Sequence, residues 1–81
     1  MNNEHWGQEL VEAINKLARI DGVITIMRPR GENTFDIELR YHGYTYIERF
    51  DTRFEERPSM IAVILLGTLF TDYYRAKQER L

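Results

Sequence analysis

The chain has no cysteine. Disulfides, thiol nucleophiles and thiolate metal ligands are therefore excluded together. Its one serine, Ser59, follows Pro58 at the start of a helical pattern, where capping or solvation is the natural role. The two histidines, His5 and His42, fall on different elements with no H-x-x-x-H spacing, so a zinc site has no support. A glycine-rich phosphate loop is also missing, since "RPRGEN" lacks the Lys-Ser/Thr that would follow one. Met1 leads straight into "NNEHWGQEL", without the apolar region of a secretory signal. The longest apolar run, "MIAVILLG" over residues 60–67 and on to Phe70, is far short of the roughly 20 residues of a spanning helix. These absences lead to the expectation of a non-enzymatic cytoplasmic protein with no catalytic residue, cofactor, metal or membrane segment.

Charge of one sign is lacking too. Acids outnumber bases 13 to 11, for a formal net charge of -2. That is no general attraction to nucleic acid, and too mild an excess for a DNA mimic. With 43% hydrophobic and 30% charged residues, the composition is that of a folded globular chain. At 81 residues a single domain, 1–81, is expected. A domain of this size buries a smaller fraction of its surface than a large one. Without disulfides or metal, oligomerisation is the remaining support.

The order reads helix, three strands, helix. Over residues 3–19, Trp6, Leu10, Ala13, Ile14 and Leu17 recur at spacings of three and four and make one apolar stripe. Asn2 or Asn3 can cap that helix, and Asp21-Gly22 ends it. "VITIM", residues 23–27, is β-branched and reads as the first strand. "TFDIELRY" alternates strictly, with Phe35, Ile37, Leu39 and Tyr41 toward a core and Thr34, Asp36, Glu38 and Arg40 toward water. His42-Gly43 then suits a two-residue hairpin loop. That loop pairs Tyr41 with Tyr44, Leu39 with Tyr46, Ile37 with Glu48 and Phe35 with Phe50. A three-residue loop, "YHG", shifts the register by one and turns the third strand over. It buries Ile47 in place of three aromatic rings, so burial favours the shorter loop. Glu48 then lies on the core face, the one carboxylate placed where acid–base chemistry could be sought. No second carboxylate pairs with it.

Thr52 and Glu55 have the spacing of a capping box, and Pro58 suits the first turn of a helix over 58–79. This helix has more apolar surface than one sheet can cover. Met60, Ile61 and Ile64 project from the side that later carries Thr68, Thr71, Asp72, Arg75 and Gln78. The expectation is a homodimer formed largely through this helix. The competing expectations are that the preceding segment folds over the patch, with Phe54 on it, or that another protein occupies it.

The resulting fold class is α+β: αβββα, a three-stranded antiparallel sheet with both helices packed on one face. This order resembles that of the double-stranded-RNA-binding domain, over most of the chain but as topology only. The resemblance implies phosphate contacts from the start of the second helix and a minor-groove loop between the first two strands. Here those positions read "EERPSMIAV", with one arginine and no lysine, and "RPRGEN". The alternative function it implies is a nucleic-acid-binding accessory domain using Arg28 and Arg30. Size, lack of catalytic groups and αβββα order also resemble small phage-encoded inhibitors of bacterial defence systems, the anti-CRISPR proteins among them. That resemblance carries no residue motif; it implies a module that binds another protein. The candidate contact residues are Met60, Ile61 and Ile64 on the second helix, Arg28 and Arg30 in the first turn, and Tyr44 and Tyr46 on the hairpin.

Overall fold

His42 and Gly43 both adopt positive φ, 48° and 80°, the signature of a type I′ turn whose twist matches its flanking strands. The turn fixes the hairpin register: Tyr41 lies opposite Tyr44, Leu39 opposite Tyr46, Ile37 opposite Glu48 and Phe35 opposite Phe50. The two-residue loop is thus the one the chain forms. The structure, a computed structural model, describes residues 3–31, 34–51 and 57–79. The expected Asn2 cap, the Thr52–Glu55 capping box and the Phe54 cover lie outside the described residues.

Helix α1 (Asn3–Ala18) precedes strands β1 (Ile24–Pro29), β2 (Thr34–Tyr41) and β3 (Tyr44–Asp51), and helix α2 (Pro58–Glu79) follows. The sheet is antiparallel in the order β1-β2-β3, and the fold is αβββα as expected. Strand β1 begins one residue later than its β-branched run and continues through Arg28 and Pro29. A residue without an N–H is tolerated there because β1 is an edge strand. The Arg30 N–H then donates to the Thr34 carbonyl at 2.8 Å, closing the connection to β2.

Both helices cover the face that carries Phe35, Ile37 and Leu39, and the core joins these to Leu10, Ile14, Leu65 and Leu69. Burying each such side chain contributes about 1.5–3 kcal/mol. Trp6 packs its ring 5.9 Å from Phe35 and 5.6 Å from Phe50. Gly7 lets α1 approach closely: a Cβ there would overlap the Met27 sulfur and press on the Phe35 ring. At the other end of the sheet, Tyr41 meets Phe70 and Tyr73 of α2 edge-on, at 5.0 and 4.9 Å.

Three expectations need correction. Leu17 is 53% exposed; the buried row is Trp6, Leu10, Ile14 and Ala18. Contact follows an i, i+4 row, which runs oblique to the helix axis, and by the last turn that row has reached Ala18. Ile61 is buried, only 7% exposed, so it belongs to the core and not to a partner surface. On the helix it sits nearer the Leu65 row than the Met60–Ile64 row. The outer face of β2 is not wet at its middle, although Arg40 is exposed. Asp36 and Glu38 are 4% and 7% exposed, so the central strand is buried on both faces.

The Thr25 hydroxyl is buried on the core side of β1 with no hydrogen-bond partner. Thr25→Val keeps the shape and removes an orphaned polar atom, and should stabilise the domain by about 1 kcal/mol in urea denaturation. Ile61→Asp should leave little folded protein by circular dichroism, whereas Ile64→Asp should keep the wild-type spectrum.

Candidate functional site: the outward face of the second helix

Helix α2 runs for 22 residues, about 33 Å at 1.5 Å per residue. Its inner side buries Ile61, Ala62, Leu65, Leu66 and Leu69. Its outer side exposes Met60, Val63, Ile64, Gly67, Thr71, Tyr74 and Gln78. These seven lie within roughly 60° of Gly67 around the helix at about 100° per residue. None carries a charge. Met60, Val63, Ile64 and Tyr74 are each more than half exposed. The solvent side of α1 is different in kind, with Glu9, Glu12 and Lys16 all exposed. Contiguous exposed apolar patches are uncommon on the surfaces of soluble monomers.

Gly67 sits in the middle of this stripe. A Cβ built there meets none of the described residues within 4 Å, in contrast to Gly7. Glycine in a helix interior costs about 0.8–1.0 kcal/mol relative to alanine, and no contact among the described residues accounts for it.

A second surface lies across the molecule. The sheet face turned away from the helices carries four arginines around two carboxylates. Arg49 Nε donates to Asp36 Oδ1 at 3.0 Å, and Arg30 Nε to Asp36 Oδ2 at 2.6 Å. Glu38 receives Arg40 Nε on Oε2 and has Arg28 Nε 3.7 Å from Oε1. Each buried carboxylate oxygen therefore faces its own guanidinium. The arginines are about half exposed, and the six residues together carry two positive charges in excess. The sequence singled out Arg28 and Arg30; the register adds Arg40 and Arg49 to the same face.

Tyr44 and Tyr46 are half-buried against the core. The Tyr46 hydroxyl donates to Glu48 Oε2 at 3.2 Å. Burial, and then the adjoining Glu48 carboxylate, push the phenol above its ordinary range, which keeps it a donor. Glu48 is thus half-buried and hydrogen-bonded to a neighbour on its own strand. His42 stacks edge-on against Tyr41 at the hairpin tip, 4.2 Å between centroids. An open groove between α1 and the start of α2 is lined by Glu9, Glu12, Lys16, Arg19 and Ser59, a mixture of charges without a focus. Among the described residues no group of three or more histidines, aspartates or glutamates is placed to hold a metal ion, and no helix is long and apolar enough to cross a membrane.

The structure keeps the candidate residues apart. Met60 and Ile64 share the α2 stripe. Arg28 lies on the far side of the sheet with Arg30 against it, Tyr44 and Tyr46 lean on the core, and Ile61 is inside it. Val63, Gly67 and Tyr74 belong to the stripe and were not picked out from sequence. A helical projection restricted to uncharged positions would have found them. No family model, no curated protein and no solved structure matches this chain.

The Asp36 carboxyl is held below its ordinary range, first by the hydrogen bond from Arg49 and then by that from Arg30, against the opposing effect of burial. A depressed folded value gives stability that is full above the unfolded value of about 3.9 and is lost as pH falls through it toward the folded one. Urea midpoints of the wild type should therefore drop below about pH 4, and Asp36→Asn should lower the midpoint at neutral pH and flatten that acid drop.

Proposed function

We propose that this chain is a non-enzymatic protein-binding module whose contact surface is the outward face of α2. The observation that carries the reading is the uncharged stripe of Met60, Val63, Ile64 and Tyr74 on a helix side that faces water. Leaving such side chains exposed forgoes about half of the roughly 1.5–3 kcal/mol that full burial of each provides. For a small domain, stable by only about 5–15 kcal/mol, that is a large concession unless a partner covers them. The narrow form of the reading is a phage or mobile-element protein that blocks a host defence complex, acting in the cytoplasm. Its support is the small size, the absence of cysteine and the αβββα order.

A second reading is favoured by one observation, the grouping of Arg28, Arg30, Arg40 and Arg49 on the open sheet face. It makes the chain a nucleic-acid-binding accessory domain, with these guanidiniums on phosphates. Half of the added charge is already met by Asp36 and Glu38, so the α2 reading is preferred.

Affinity capture from a bacterial lysate, with wild type beside Ile64→Asp and Arg30→Ala, separates the two. A protein partner, a second copy of this chain included, that is retained by wild type and Arg30→Ala but lost at least tenfold with Ile64→Asp is the expected result. A retained species that is nucleic acid, weakens steeply between 50 and 200 mM salt (on the order of tenfold or more) and is lost with Arg30→Ala would replace the first reading by the second.

A further inference from the structure

We infer that the occupant of the α2 face is a second copy of this chain, its α2 antiparallel to the first, with the two-fold axis beside Gly67. The inference rests on the reading of that face as a contact surface, and adds what covers it.

The residues of the stripe are arranged symmetrically about the glycine. Met60 stands seven residues before Gly67 and Tyr74 seven after, both large and both more than half exposed. Val63 and Thr71 stand four before and four after; they are near-isosteric β-branched side chains, and both are exposed. Large, small, glycine, small, large is the pattern an isologous contact needs, since residue i of one protomer meets its symmetry mate's opposite number. Rotation about an axis at Gly67 sets Met60 against the partner copy's tyrosine and Val63 against its threonine. A thioether on an aromatic ring is a favourable contact. A partner of different sequence would impose no such symmetry on this helix.

Glycine at the centre gives the second observation. Its missing Cβ opens space that none of the described residues fills. A second helix crossing at that point could bring its backbone close, as α1 approaches the sheet at Gly7. The electrostatics agree. A face without charges can meet its own copy with no like-charge pair, and antiparallel helices set the positive end of each dipole beside the negative end of the other. The area sets the strength. A stripe about 27 Å long on a helix about 10–12 Å across buries on the order of 600–1,000 Å² counting both copies, at or below the lower edge of specific interfaces. The dimer is therefore expected to dissociate in the micromolar range.

The absence of native cysteine permits a direct test of the axis by oxidative cross-linking of single-cysteine variants, alongside sedimentation equilibrium. Wild type at about 100 μM should sediment near twice the 9.7 kDa chain mass, well above the expected micromolar dissociation constant. Gly67→Cys should oxidise to a covalent dimer, because its two copies lie within disulfide reach across the axis. Val63→Cys should not link to itself but should link when mixed with Thr71→Cys. Gly67→Leu should weaken the dimer more than tenfold while its melting temperature as a monomer is no lower than that of wild type, since leucine is the better helix former. That variant thus separates loss of association from loss of folding. Monomeric wild type at the same concentration would overturn the inference, and a lysate partner still lost with Ile64→Asp would then leave the contact-surface reading standing. Self-linking of Val63→Cys would overturn the antiparallel geometry, and a dimer indifferent to Gly67→Leu would overturn the axis.

Discussion

The carboxylates of Asp36 and Glu38 sit on a strand that is covered on both faces, and they are tolerable there because each oxygen faces a guanidinium. An unpaired buried charge would cost several kcal/mol. The pairing can be met in only one arrangement of the sheet. Arg28 and Arg30 arrive from the β1 side, Arg49 from β3, and Arg40 from β2 itself. A slip of β2 by one residue would drive both carboxylates into the apolar layer and turn Phe35, Ile37 and Leu39 outward. The clamp and the core are therefore two statements of one register. The type I′ turn at His42-Gly43 sets that register locally, and the arginines hold it across the sheet.

The two helices divide the remaining work unequally. Helix α1 is an ordinary amphipathic helix, with a buried row against the sheet and α2 and a charged side in water. Helix α2 has a buried side of similar width but lacks the charged one along about its first four turns. The two helical glycines mark the same difference. Gly7 has an evident reason inside the chain, because the sheet is against it. Gly67 has none among the described residues.

Periodicity made most of the fold legible. The alternation of "TFDIELRY" marked β2 to the residue, and Pro58 marked the start of α2. The hairpin could be chosen by counting which rings each loop would bury. What periodicity could not show was the second cover of β2. Alternating polar residues read as a wet face, and only the tertiary placement of arginines from both sides of the strand makes it a buried one. Leu17 and Ile61 were misplaced for a related reason. A spacing of three or four identifies an apolar side but not the oblique line along which a neighbour crosses it. At the candidate site, Met60 and Ile64 stood out because they are apolar where polar residues follow. Val63 and Tyr74 did not, because each reads equally well as core. Gly67 is informative only once its surroundings are known to be empty.

The chain's one tryptophan is at the Phe35–Phe50 end of the sheet, enclosed by those rings and 5% exposed. The tyrosines Tyr41, Tyr44, Tyr73 and Tyr74 gather at the opposite end, around the hairpin tip and the later turns of α2. The molecule therefore carries two optical reporters on separate events. Indole emission follows the docking of α1 on the sheet. Phenol absorbance follows the hairpin tip and the outward face of α2. A change in one without the other locates the event along the molecule, with no label added.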